Sequence, residues 1–167
     1  MKDIDHLAFI EPASGFLNIE VVLHFHEIPS EQSRKGRMDT NGDDRISPTE
    51  VDRYCSALDQ KLLHRFTLEA DKKEIKLAPL YRPEVDLLGV SGVEPAPHLL
   101  KIFLTARLPP EAGEGAVFRF VDRSFSSVTG QSRMEVRHNR PGSSTPGPVM
   151  EISTSREIRF KLPRAEE

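Results

Sequence analysis

A single cysteine, Cys55, stands in a chain of 167 residues. No disulfide can close within the chain, so stability has to come from the core, with or without a bound metal. Basic charge is also short: 23 Lys and Arg face 26 Asp and Glu, a formal net charge of -3. A nucleic-acid surface needs a concentrated basic face, and none is visible. The most basic stretch, Arg133 to Arg140, alternates charge with apolar residues as a strand face does. Nothing approaches the roughly 18 to 20 apolar residues that span a bilayer. The start, Met1-Lys2-Asp3-Ile4-Asp5, lacks the basic segment and apolar stretch of a secretory leader. That leaves a cytoplasmic location or a chain trimmed of flanking segments. Nucleophile-elbow, phosphate-loop and zinc-protease signatures are missing as well, and no carboxylates form a recognisable catalytic pair outside one loop. The sequence therefore gives no positive reason to expect an enzyme.

What the chain does have is alternation. Leu17, Ile19, Val21, Leu23 and Phe25 share one side of an extended segment, and Asn18, Glu20, Val22, His24 and His26 share the other. A strand buried on one face gives this pattern. It returns at Leu100 to Ala106, at Phe118 and Phe120, at Met134 and Val136, and at Ile158, Phe160 and Leu162. Thr67 to Leu77 reads as a hairpin turning at Asp71-Lys72-Lys73. Turn-rich stretches at Gly89–Pro97, Pro109–Gly115 and Asn139–Pro148 connect these strands, the last being the most flexible in composition. One segment breaks the period of two. Ser47 to Leu63 places Val51, Tyr54, Cys55, Leu58, Leu62 and Leu63 at helical spacing. Ser30 to Met38, after Pro29, predicts a short helix ahead of it. The expected fold is mainly β, a single antiparallel β-sandwich domain over residues 1–167. An EF-hand-like helix–loop–helix is inserted at about 30–65, after the first long strand.

The insertion carries the most specific motif, Asp39-Thr40-Asn41-Gly42-Asp43-Asp44-Arg45-Ile46-Ser47-Pro48-Thr49-Glu50. An EF-hand loop wraps oxygens around a hard cation within 12 residues. Side chains serve at positions 1, 3 and 5, a carbonyl at 7, a water or hydroxyl route at 9, and a bidentate carboxylate at 12. Here those positions are Asp39, Asn41, Asp43, Arg45, Ser47 and Glu50, with Arg45 offering only its main-chain oxygen. Ile46 is apolar at position 8, where such loops anchor in a short strand. Position 6, usually glycine because the turn needs a positive φ, is Asp44. Aspartate tolerates that region at modest cost and adds a fourth carboxylate near the ion. A plain acidic turn capped by Ser47-Pro48-Thr49-Glu50 explains Ser47 and Glu50 without metal. It does not explain Asp39, Asn41 and Asp43 at alternate positions, or Ile46. The expected ligand is one calcium ion. No second loop accompanies it, and the four Met are scattered, so the site reads as a structural staple and not a paired sensor.

Two further features are weaker. His24 and His26 project from one strand face and could ligate zinc, nickel or cobalt, with His6 as a third donor. Two unrelated histidines on a polar face give the same pattern. Cys55 falls on the apolar stripe of the second helix and reads as a small buried hydrophobe.

The strand leading into Glu27-Ile28-Pro29, the Asp-x-Asn-x-Asp loop ending in Ser-Pro-Thr-Glu, the helix after it, the hairpin through Glu69-Ala70-Asp71, and Phe118-Arg119-Phe120-Val121-Asp122-Arg123-Ser124-Phe125 form a recognisable order. From about residue 16 to 137 that order resembles the extracytoplasmic N-terminal domains of bacterial nickel/cobalt-transporter-like and HupE/UreJ-like membrane proteins. It departs from them in having no His-Pro start and no membrane helices. The resemblance implies a periplasmic or otherwise outward-facing accessory domain, working with a membrane-protein partner or a fused membrane segment.

Overall fold

Strands dominate the computed structural model, which describes residues 1–113, 115–138 and 147–162. In chain order they are β1 (Ile4–Ala13), β2 (Phe16–Phe25), β3 (Phe66–Ala70), β4 (Lys73–Ile75), β5 (Ala78–Asp86), β6 (His98–Arg107), β7 (Val117–Asp122), β8 (Ser132–Arg137), β9 (Val149–Ser153) and β10 (Glu157–Lys161). Two α-helices, α1 (Glu27–Ser33) and α2 (Pro48–Leu63), lie between β2 and β3, with a π-helical turn at Arg34–Met38. Six strands pair in the order β5-β6-β2-β1-β8-β9 and four in the order β10-β7-β3-β4. Of the connection Asn139–Pro148, residues 139–146 lie outside the described residues.

The period of two decides which side chains enter the core. On β2 the five predicted apolar residues, Leu17 to Phe25, are each at most 1 % exposed. Leu100, Ile102, Leu104 and Ala106 of β6 continue that surface, and Phe66, Leu68, Phe118, Phe120, Ile158 and Phe160 of the smaller sheet are buried with them in one cluster. Phe118 stacks on Phe160 with centroids 5.4 Å apart, and Phe66 on Phe120 at 6.1 Å. The result is a mainly β, sandwich-like arrangement, as the alternation predicts. It differs in one seam: β1 pairs with β8 in parallel, so the larger sheet is mixed.

Three strands escape the sequence reading, and each has a reason. β1 alternates correctly, but one of its inward positions is His6, which reads as polar until its partner is known. β5 contains Pro79 and Pro83 and lies at a sheet edge with two register irregularities, where missing N–H donors are tolerated. β9, at the other edge, leaves Val149 and Ile152 exposed and so carries no burial pattern. Because β1 is a strand, the helical insertion follows the second strand and not the first.

The hairpin forms with a two-residue turn. Asp71 and Lys72 have φ of 48° and 67°, the left-handed pair that matches strand twist in a type I′ turn. The first helix starts at Glu27 and takes Pro29 into its opening turn, where its missing N–H is harmless. It continues as the π-turn to Met38 and does not form one helix over 30–38.

Candidate metal centre

Residues 39–50 fold as a chain of short local hydrogen bonds that turn acidic oxygens toward one point. Asp39 accepts from the Gly42 amide through Oδ1 at 3.1 Å and from the Asp44 amide through Oδ2 at 3.0 Å. Asn41 Oδ1 accepts from the Asp43 amide, and Asp43 Oδ1 from the Arg45 amide, at 3.1 and 3.0 Å. The Asn41 and Asp43 steps are Asx turns, the conformation these side chains favour because they mimic a backbone acceptor, while Asp39 reaches three and five residues along. Asp44 has a φ of 60°, the left-handed geometry that the sixth position of the motif requires.

The loop closes on α2. Ser47 caps the helix, its Oγ accepting from the Glu50 amide at 3.2 Å while Glu50 Oε1 accepts from the Ser47 amide at 3.1 Å. This is the capping box read from the sequence, of a kind whose removal costs about 0.5–2 kcal/mol. Glu50 Oε2 also accepts from the Thr40 amide at 2.7 Å, which ties the two ends of the loop together. These main-chain donors, the Ser47 amide foremost, hold the Glu50 carboxyl at about 2, well below its ordinary value. A carboxylate has about four lone-pair positions, so these bonds leave acceptor capacity toward a cation. One carboxylate oxygen each from Asp39, Asp43 and Glu50 lie within 4.8 Å of one another.

The predicted ligands therefore divide. Asp39, Asp43 and Glu50 converge, and Asn41 sits between them with its oxygen engaged by Asp43 N–H. Ser47 spends its hydroxyl as the helix cap, so its route to an ion runs through water. Arg45 is held by its backbone. It bridges Gly92, and the Ile46 amide donates to the Ser91 carbonyl at 2.7 Å. Ile46 itself is buried. The short strand expected at position 8 thus pairs with a loop of the same chain. Asp44 is not part of the converging group, contrary to the expectation of a fourth carboxylate beside the ion. Its charge is felt instead at Lys35, whose pKa is raised first by Glu31 and further by Asp44.

A residue that sequence reasoning missed anchors the partner loop. Arg34, fully buried in the π-turn, uses all five N–H donors. Nε donates to Ser30 Oγ at 3.1 Å, Nη1 to the Val90 and Gly92 carbonyls at 2.5 and 2.9 Å, and Nη2 to the Leu87 and Pro97 carbonyls, both at 3.1 Å. Burial lowers its pKa, offset in part by the charge of Glu94. Ser30 also contacts His98 Nδ1 at 2.7 Å and donates to the Ala96 carbonyl. Burial, followed by the charge of Arg34, pushes His98 down to about 3, so it stays neutral against the cation. No side-chain motif reveals this clamp, because its acceptors are backbone carbonyls.

The histidines also divide. His24 and His26 do share the outer face, with ring centroids 4.3 Å apart, and Asp5 joins them: Oδ2 lies 2.8 Å from His26 Nε2. Burial raises the Asp5 pKa, but hydrogen bonds from His26 and the Gln131 amide, and the charges of both histidines, outweigh it and leave the carboxyl below its ordinary range. His6, expected as a third donor, faces the opposite side. It is buried between the sheets, where Nδ1 meets Asp122 Oδ2 at 2.6 Å, and Asp122 Oδ1 accepts from Ser124. Period-two geometry separates His6 from Asp5 on β1, so the three histidines cannot share a metal. Cys55 is buried at 1 % exposure, and burial pushes its thiol up, away from nucleophilic use.

No protein-family model matches the chain, and no curated protein matches it either.

Proposed function

We propose that residues 39–50 bind one calcium ion and that the protein is a calcium-stapled β-sandwich serving as a binding or accessory module. One observation carries this reading: three carboxylates spaced by the EF-hand motif converge within 4.8 Å, in a loop whose sixth residue, Asp44, adopts a φ of 60°. An all-oxygen donor set of this kind suits a hard cation. Asp39, Asn41, Asp43 and Glu50 would supply side-chain oxygens, Arg45 its carbonyl and Ser47 a water-mediated contact. The ion would offset the mutual repulsion of Asp39, Asp43 and Glu50. It would also lock both insertion helices to the loop that Arg34 holds. Because Arg45 and Ile46 pair within the chain, a second EF-hand loop is not needed to complete the short strand. The setting proposed is extracytoplasmic, beside a membrane-protein partner, where modules of modest affinity find the calcium they need. No helix among the described residues is long and apolar enough to cross a membrane.

Thermal melting of the protein with calcium and with chelator tests this. At calcium about 100 times the dissociation constant, binding adds about 2.7 kcal/mol. For a chain of this size that raises Tm by roughly 5–11 °C. Asp39→Ala should abolish the rise, and it should also lower the chelated Tm by a few degrees through loss of its bonds to the Gly42 and Asp44 amides. A wild-type Tm that ignores both calcium and chelator overturns the proposal.

A further inference from the structure

The outer face of the six-stranded sheet carries a donor set of different chemistry. β1 and β2 pair in antiparallel register with Asp5 opposite His24 and Ile4 opposite Phe25. Ile4 and Phe25 are each 1 % exposed and point into the core. Asp5 and His24 therefore both point outward, as a directly opposed cross-strand pair. His26, two residues beyond His24, falls on the same side. One ligand atom from each of Asp5, His24 and His26 lies within 4.8 Å of the others.

We propose that Asp5, His24 and His26 form a second metal site, for a divalent transition ion of the zinc, nickel and copper class. Imidazole nitrogen favours these ions over calcium and magnesium. A tetrahedral ion about 2.1 Å from each donor separates the donors by roughly 3.4 Å. The Asp5–His26 contact of 2.8 Å has to open slightly, and the remaining separations, all within 4.8 Å, have to close by at most about 1.4 Å. Small side-chain rotations on a fixed pair of strands supply both changes. The carboxylate is already oriented: Asp5 Oδ1 accepts from the Gln131 amide at 2.9 Å, which leaves Oδ2 toward the histidines. An outer-shell bond of that kind fixes metal ligands in place. The backbone around the site is tied as well, since the His26 amide donates to the Asp3 carbonyl at 3.1 Å. All three side chains are partly exposed, so solvent can complete the coordination.

A simple Asp5–His26 ion pair fastening β1 to the end of β2 accounts for two of the three residues. It does not account for His24. The His24 ring lies 4.3 Å from that of His26, and it makes no hydrogen bond among the described residues. The proposal does not depend on the calcium loop: the sites share no residue and differ in donor chemistry.

The test is calorimetric titration of the full chain, stripped of metal and then held in saturating calcium, with zinc and with nickel. One ion should bind per chain, and His24→Ala should weaken binding by at least about tenfold, as should Asp5→Asn. In parallel, long-range nitrogen NMR of the imidazoles with substoichiometric nickel should broaden His24 and His26 and spare His6 and His98. This second measurement needs no variant, so it holds even if a substitution disturbs folding. Absence of saturable binding, wild-type affinity in His24→Ala, or broadening confined to His64 or His138 overturns the proposal.

Discussion

The loop at 39–50 and the guanidinium of Arg34 fasten the same insertion with opposite materials. The loop gathers anionic oxygens at the surface, from residues contiguous in sequence, in a geometry suited to an ion from solution. The clamp buries a cation and satisfies it with carbonyls of Leu87, Val90, Gly92 and Pro97, far along the chain. They meet at Gly92, whose carbonyl accepts from Arg34 while its residue bridges Arg45 of the loop. The difference is one of conditionality. Arg34 holds at any calcium concentration, whereas the loop, on the proposed reading, tightens only when an ion is present. A permanent fastener thus supports a conditional one.

Breaking the clamp should have the largest effect. Arg34→Ala leaves four partly buried carbonyls without their donor and opens a cavity where the buried guanidinium sat, at a cost of roughly 3–5 kcal/mol. The expected fall in Tm is about 6–20 °C, present equally in calcium and in chelator. A loss seen only in one of the two conditions means that the fasteners are not distinct.

Glu50→Gln comes next and acts on the loop alone. The folded carboxyl sits at about 2, below its ordinary 4.5. It therefore adds stability that is fully present above about pH 4.5 and fades as pH falls toward 2. In chelator, the wild-type melting temperature should fall through that window. The variant, which keeps a capping amide but nothing to titrate, should fall less steeply and show no calcium response. Parallel acid profiles for the two proteins count against this role.

The smallest effect sharpens the comparison. Asp44→Gly relieves the left-handed backbone at φ 60°, worth about 0.5–1 kcal/mol after the added freedom of glycine in the unfolded chain. The chelated Tm should rise by roughly 1–4 °C. If it falls instead, the Asp44 side chain supports the loop in a way its backbone does not disclose.

Legibility in the sequence followed locality. The ligand spacing, the Ser47–Glu50 capping box, the face of α2 and the inner face of β2 were all readable, because each depends on residues within a few positions of one another. His24 and His26 were readable as a pair for the same reason. Asp5 was not, since only the antiparallel register of β1 on β2 sets it opposite His24. His6 misled for a related reason: its partner Asp122 lies 116 residues away, and without that partner an inward histidine looks like a break in the pattern. Arg34 left no trace, because a short polar helical stretch is the usual sign of a solvated surface and main-chain acceptors carry no sequence signature. Asp44 was readable in its backbone but not in its carboxylate, which a positive φ carries out of the converging group.

The parallel seam between β1 and β8 bears on how the chain acquires its shape. β2 follows β1 directly and can cover one of its edges early. The other edge waits for residues 132–137. Until they emerge, the first strand offers a row of unpaired amides and carbonyls, the arrangement that invites pairing between molecules. Contacts of such long separation slow folding because the loop must close before it is rewarded. β1, made before every other strand of this sheet, is therefore among the last to have both its edges paired, and a chain cut short before β8 would keep an adhesive edge.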